Sequence, residues 1–362
     1  MRPIDNTIAE LFARSERDLK AKTAFFDASN FYIFGAGNMG RAALAAFREA
    51  GAEPRGFIDD TPGKAGTIVD GLQVIGGTPS SDATVFVCVH NPRHDYLKSR
   101  ERFGERSLSF MHIPWIFPQI AFAHAAHPAS YFRFKDEIAA VYEALSDETS
   151  KATFIEQLKF RLTLDWDFTH YSATPYFPDD IGLPFDDAVN FVDAGAFDGD
   201  TVRLFLEHFR RPGKVVAIEA DPRNFAKLET YLSALNIDHA MHNAAVDGQE
   251  GILKFDATGD MAARLSDNGQ LLVRSHTLDH FMADVPDPCY VKFDVEGAES
   301  AILNESEKLL QERRPMLAVS IYHHAADMIE IPLQLHRLGY RIAMRYHGID
   351  GADLVLYAFP VQ

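Results

Sequence analysis

Asn190-Phe-Val-Asp193-Ala-Gly195-Ala-Phe-Asp198-Gly199-Asp-Thr201 is an apolar run that ends in an acid, crosses two glycines four apart and enters a stretch with helical spacing, Thr201 to Phe209. Strand, glycine turn and helix in that order open a parallel α/β sheet. Outward from it the same alternation continues through Val215 to Ala220, Asn224 to Leu235, Met241 to Val246 and Cys289 to Asp294. A right-handed sheet of this kind gathers the carboxyl ends of its strands at one crevice, and ligands bind there.

The residues at those ends have a consistent chemistry. Gly195 and Gly199 let a ligand approach the backbone, and Asp193 can orient an amine or a water, which fits the methionine part of S-adenosylmethionine better than a pyrophosphate. Glu219 closes the next strand 24 residues after Gly195, where a carboxylate accepts bonds from both ribose hydroxyls. Asn243 and Ala244 end the third strand and leave room for an adenine ring, while Ala196, Phe197, Asp198, Thr201 and Ala220 complete the cofactor set. The fourth strand runs into Asp294-Val-Glu296-Gly-Ala-Glu299, two or three acids at one edge. Asp193 and Asp294 also suit helix capping, which does not exclude a binding role.

DAGAFDGDT, IEADP, NAAV and KFDVEGAE, in this order and spacing, resemble the FkbM-type S-adenosylmethionine-dependent methyltransferases over residues 186–362, and Val319-Ser-Ile-Tyr322-His323-His324 with the Ile331-Pro332 step is similar to the piece after that family's fifth strand. The resemblance implies a class I sheet of seven strands with an antiparallel last strand. It further implies O-methylation of a sugar, polysaccharide precursor, glycolipid or secondary metabolite. The chain end agrees independently: Tyr340 to Tyr346 and Asp353 to Phe359 read as two strands of a terminal hairpin, as an inserted antiparallel strand requires. In this setting His323 is the expected base, and Asp294 orients the acceptor hydroxyl or a cation. Alternatively Asp294, Glu296 and Glu299, with His324, assemble an oxygen-rich magnesium site, or the two histidines are hydrogen-bonded structural groups. His276 reads as structural.

A second glycine turn lies upstream. Phe31-Tyr-Ile-Phe34 leads into Gly35-Ala-Gly37-Asn-Met-Gly40, a helix follows to Glu49, and Arg55 to Asp60 is a strand that brings Asp59 to 19 residues after Gly40. This is a dinucleotide-type fingerprint on a βαβ unit. Residues 31–90 resemble the nucleotide-sugar-binding front halves of bacterial sugar acyltransferases, which implies that Gly35, Gly37, Gly40 and Asp59 hold a nucleotide or nucleotide-linked sugar. No catalytic set accompanies the motif, yet an NAD(P)-dependent oxidoreductase or a non-catalytic nucleotide-sugar scaffold stays open as the alternative. The expected organisation is two Rossmann-like α/β domains, 1–125 and 186–362, joined by a helical connector over 126–185. The connector's Pro- and aromatic-rich piece, Tyr171 to Pro184, suits a lid that offers Tyr176 to a substrate.

Composition limits the rest. The 362 residues are 47% hydrophobic and 24% charged, which is globular usage. The formal charge of −17 would repel a phosphate backbone, so nucleic acid is excluded as a partner, and the acceptor is a small molecule or a glycan. A homo-oligomer is allowed. The longest apolar stretch, Ile113 to Phe132, holds three prolines and two histidines and does not span a bilayer. The N-terminus reads as a polar amphipathic helix and not as a signal peptide. Cys88 and Cys289, about 200 residues apart, form no disulfide framework, and the expected compartment is the cytoplasm.

Overall fold

The computed structural model describes residues 3–89, 96–120, 122, 124–165, 168–185, 188–256, 264–265, 271–348 and 351–361. In the sequence Thr84 to His90 reads as a buried parallel strand and Asp186-Asp187 as solvated loop charges; His90, Asp186 and Asp187 lie outside the described residues. Two compact units result: residues 1–135 with 158–167, and residues 136–157 with 168–362.

The first unit opens on the expected helix, Pro3–Ala24. Its sheet has the order β3-β4-β2-β1-β5-β6, built from β1 (Phe31–Phe34), β2 (Phe57–Ile58), β3 (Ile68–Val69), β4 (Leu72–Ile75), β5 (Thr84–Val87) and β6 (Ser107–Ser109). All pairs are parallel except β3 with β4. Strands wind outward from β1 in both directions, so a topological switch point falls beside the glycine turn that follows it. The helix Asn38–Glu49 returns over the sheet on Ala43, Leu44 and Phe47, an i, i+1, i+4 face that is fully buried.

The second unit is built on a seven-stranded sheet of order β16-β17-β15-β14-β7-β8-β9. Its strands are β7 (Asn190–Ala194), β8 (Val215–Ile218), β9 (His239–His242), β14 (Cys289–Phe293), β15 (Met316–Ser320), β16 (Tyr340–Tyr346) and β17 (Leu354–Pro360). β14, β7, β8, β9 and β15 are mutually parallel, and every residue of β7, β8, β14 and β15 is buried, the pattern of strands covered on both faces. β17 enters antiparallel between β15 and β16, as the terminal hairpin required. The chain direction reverses its winding at β7 and β14, so the switch-point crevice lies between Gly195 and Asp294. Phe191 and Phe205 stack at 4.5 Å beneath it, with Phe177 and Tyr290 closing the cluster.

A smaller sheet, β10-β13-β11-β12, is made by β10 (Ala245–Val246), β11 (Gly251–Asp256), β12 (Arg264–Leu265) and β13 (Leu271–His276), between β9 and β14 in sequence.

The expected connector over 126–185 is not a separate piece. Residues 136–157 and 168–185 belong to the second unit. Leu145 bridges to Ile342, and the Ser150 hydroxyl accepts from the Met344 amide at 2.8 Å. The proline-rich piece is anchored at its middle, where Tyr176, Phe177 and Ile181 are buried with the sheet's core, so there it forms a strap, while Tyr171 is exposed.

Candidate active site at the switch point of the second sheet

Each glycine turn is braced from behind by an acid on the next strand. In the first unit Asp59 accepts from the Ala36 amide at 2.8 Å; in the second Glu219 accepts from Phe197 at 2.9 Å through Oε2 and from Asp221 at 2.7 Å through Oε1. The two acids then part company. Asp59 also meets Lys64 Nζ at 2.9 Å and the Thr61 amide, and these bonds outweigh burial and hold its carboxyl far below the usual range. Among the described residues no cation bonds Glu219, and burial pushes it up to about 7 against its two amide bonds and the more distant Lys292. It is a carboxyl held in place by backbone amides, with burial outweighing the attraction of Lys292.

The turn itself is shaped by a close approach. Gly195 has φ +86°, and a Cβ there would lie 1.9 Å from the Asp294 carbonyl oxygen, so β7 and β14 meet only because this residue has no side chain. Gly199, also left-handed, begins the helix Asp200–His208, Ala196 and Thr201 are buried within the turn, and Asp198 pairs with Arg203. Phe197 is half-buried, with Lys227 Nζ 5.3 Å from its ring centre. The exposed Asn243 donates to the Glu219 and Ala220 carbonyls at 2.9 and 3.2 Å. Behind it Ala244 and Ala245 are buried, with Ala220 packed against Ala245 and Val273, a thin apolar shelf.

Asp193 is fully buried and pairs at 3.0 Å with Lys292, its direct neighbour on β14, so the amine it meets in this structure is one of the chain's own. Burial pushes Asp193 up to about 6; although burial also opposes the ammonium, Asp193, Asp294 and Asp200 hold Lys292 above its usual value, and both groups are charged at neutral pH. Lys292 also donates to the Gly195 carbonyl at 2.5 Å, tying the pair to the turn. The sequence reading assigned Lys292 no role, although a lysine inside a run buried on both faces demands an acid partner.

Asp294 gathers three donors from two segments. Tyr176 of the strap gives its hydroxyl to Oδ2 at 3.0 Å, Tyr322 gives its hydroxyl to Oδ1 at 3.3 Å, and His323 Nε2 stands 3.6 Å from Oδ1. Burial would raise this carboxyl, but Lys292, His323 and Tyr176 hold it below the ordinary value. Tyr176 is thereby largely buried; its amide donates to the Tyr357 hydroxyl and its carbonyl accepts from Tyr290.

His323 is enclosed by acids: Glu299 Oε1 lies 3.0 Å from Nδ1, and Asp294 and Glu296 each lie 3.6 Å from Nε2. Burial works against the cation, yet the three carboxylates raise the imidazole to about 9. This raised value favours the protonated ring at neutral pH and opposes the expected role of His323 as base. Of the expected magnesium acids, Asp294 and Glu299 each offer a ligand atom within 4.8 Å of one another and of a His323 ring nitrogen, so the histidine that joins them is His323 and not His324. Glu299 is fully buried, with Oε1 accepting from the Val295 amide. His324 is exposed and stands apart, its amide donating to Asp327 Oδ2 at 2.8 Å and its ring packed over Gly297. Asp327, buried and raised by burial and by Glu299, was not foreseen.

In the first unit, a Cβ at Gly40 would lie 1.8 Å from the Gly35 carbonyl oxygen, whereas one at Gly37 would meet nothing within 4 Å. Gly40 is needed for helix packing; Gly37 is not.

With this geometry in hand, comparisons place the chain among known proteins. The family model described as the methyltransferase FkbM domain matches residues 193–342, so that stretch carries a methyltransferase domain of FkbM type. No curated protein matches the chain. Among solved structures, a methyltransferase FkbM from Methylobacillus flagellatus KT superposes with a TM-score of 0.75 at 22% identity, covering 95% of this chain and 93% of its own, which shows the fold. A precorrin-6y C5,15-methyltransferase from Geobacter metallireducens GS-15 gives 0.31 at 13% identity over 49% of this chain and 84% of its own. Fibrillarin from Aeropyrum pernix, solved with S-adenosyl-L-methionine bound, gives 0.31 at 14% over 49% and 69%; these two likenesses carry no argument. Among the described residues no helix is long and apolar enough to cross a membrane.

Proposed function

We propose that the crevice between Gly195 and Asp294 binds S-adenosylmethionine and that the second unit moves its methyl group to a hydroxyl oxygen of a sugar, glycolipid precursor or related metabolite. The observation that carries this is Glu219, a carboxylate only 8% exposed and fixed by two backbone amides behind the Gly195 turn. With Asp294 and Glu296 it makes the crevice acid-lined, which favours a sulfonium and an ammonium and disfavours the pyrophosphate of a nicotinamide dinucleotide. Residues 195–197 would face the methionine part, Glu219 the ribose hydroxyls, and Ala220, Asn243 and Ala244 the adenine.

When bound, the cofactor supplies an electrophilic methyl group on a positive sulfur. The chain's own part is to align the acceptor and take up its proton. Asp294, with one tyrosine hydroxyl on each oxygen, still has lone pairs for an acceptor hydroxyl, whose proton passes to that carboxylate as the new C–O bond forms. His323 is a positioning residue here, a buried cation that keeps Asp294 ionised. In this reading the first unit grips a nucleotide or nucleotide-linked sugar at Gly37, whose missing side chain the fold itself does not require, and the enzyme works in the reducing cytoplasm that suits two free, buried cysteines.

Calorimetric titration with S-adenosylmethionine, S-adenosylhomocysteine and NADPH tests the cofactor. Adenosyl ligands should bind and NADPH should not; NADPH binding alone overturns the reading. Asp294→Asn should keep S-adenosylhomocysteine affinity while methyl transfer to a panel of sugar hydroxyls drops by about 100-fold or more. For the first unit, nucleotides and nucleotide sugars should raise the melting temperature, and no shift with any of them removes that assignment.

A further inference from the structure

We propose a second ligand site, for a transition-metal dication of the zinc, cobalt or nickel class, formed by Glu250, His276 and His280 on the small sheet and the helix that follows it. The proposal is independent of methyl transfer. One carboxylate oxygen of Glu250 and one imidazole nitrogen from each histidine lie within 4.8 Å of one another. Two ligands on a tetrahedral zinc stand roughly 3.3 Å apart, given bonds of about 2.0 Å. Small rotations of side chains at the surface close that difference. Two imidazoles and a carboxylate are the donors such borderline ions select, whereas magnesium and calcium take oxygen.

Backbone architecture brings the three together. Gly251 pairs with Ser275 in the antiparallel ladder of β11 and β13, which sets Glu250 beside His276. Thr277, in extended backbone conformation, precedes the helix Leu278–Met282, so the chain turns and returns His280 onto His276, their rings stacked at 4.1 Å and 13°. Glu250 is already held, its Oε1 accepting from the Thr277 amide at 3.2 Å and its Oε2 2.5 Å from His276 Nδ1. Phe281, 4% exposed, supports the rings of His276 and His280 edge-on at 5.8 and 5.2 Å, with His242 on it as well at 5.1 Å. The donors are thus preorganised by a ladder register, a helix start and a buried aromatic ring. The reading of His276 as structural gives way to that of a ligand. An ion here would clamp the β11–β13 ribbon to the helix, a few residues from Asn243.

The test uses the full chain, freed of any histidine tag and stripped with chelator, titrated with zinc chloride by calorimetry and with cobalt chloride by visible absorption. One ion per chain should bind, the cobalt spectrum should show nitrogen ligation, and zinc should raise the melting temperature. Glu250→Gln and His280→Ala should each weaken zinc by at least about tenfold. His323→Gln, in the separate acidic cluster, should leave the titration unchanged, and magnesium chloride should give no heat. His280→Ala sits at the surface, and its metal-free melting temperature should match the parent's. Zinc affinity unchanged in both Glu250→Gln and His280→Ala, or no zinc bound by the parent chain, overturns the proposal.

Discussion

If Glu219 receives the ribose hydroxyls, it must do so ionised, and the structure sets the pH at which that condition fails. Burial holds its carboxyl at about 7 in the free protein, opposed by the Phe197 and Asp221 amides. A ligand that binds only the carboxylate must then displace a proton from an increasing fraction of molecules as the pH falls. At pH 6 only about one molecule in ten is ionised, so the affinity for S-adenosylhomocysteine should be about tenfold below its plateau above pH 8, a difference of ~1.4 kcal/mol. Binding should release nearly one proton at pH 6 and about half of one at pH 7. Calorimetry at pH 6, 7 and 8, in buffers of different ionisation enthalpy, measures both quantities. Glu219→Gln should weaken binding by about tenfold or more at pH 8, through loss of the charge-assisted bonds, and should flatten the profile. The same shift has a stability side. A carboxyl raised by folding lends stability that is fully present below about pH 4.5 and is lost as the pH rises through about 7, so the variant should be the less pH-sensitive of the two between those limits. A parent profile that is flat from pH 6 to 8 with no proton released would refute the placement of Glu219 against the ribose.

Lys292→Met leaves Asp193 buried without its cation and should cost about 3–5 kcal/mol in urea unfolding, most of it recovered when Asp193→Asn is added; an additive double variant contradicts the pairing. His323 is raised from 6.5 to about 9, so its contribution is fully present below pH 6.5 and lost as the pH rises through 9. Unfolding free energy should therefore fall by about 3 kcal/mol between those limits in the parent and much less in His323→Gln. Gly195→Ala forces a Cβ against the Asp294 carbonyl and should prevent folding or lower the melting temperature steeply, whereas Gly37→Ala, with open space, should change stability by about 0.5 kcal/mol or less. A large loss in Gly37→Ala would show that packing does require that glycine.

The parallel sheet was legible because β7, β8, β14 and β15 are buried on both faces, and such strands are written as largely apolar runs, here interrupted by Asn190, Asp193 and Lys292. The terminal hairpin was legible for a similar reason, its two runs being separated by a short glycine-containing loop. The domain limits were not. Ser150 and Leu145 find their partners at Met344 and Ile342, nearly 200 residues away, and no local pattern announces such a contact. At the site, the identity of Glu219 and Asp294 followed from their positions at strand ends, but the state of His323 did not. Its charge depends on three carboxylates arriving together from the turn after β14, which is a property of the assembled crevice. Tyr176 was noticed as an aromatic and missed as a donor to Asp294, because the strap that carries it is held by Tyr290 and Tyr357 from distant strands.

The buried pair of Lys292 and Asp193 also bears on how the chain finds its structure. Strands β7 and β14 are separated by about a hundred residues and, apart from this pair and Asn190 at the start of β7, are largely apolar on both faces, so hydrophobic patterning alone would tolerate sliding of one along the other. Only the observed alignment sets the lysine beside the aspartate; every slipped alignment strands two unpaired charges in the sheet interior. The pair therefore acts as a pin for strand alignment during assembly. Because Lys292 also reaches the Gly195 carbonyl, the alignment that satisfies it is the one that places Asp294 against the glycine turn, so competition among misfolded pairings is resolved in favour of the arrangement that builds the crevice.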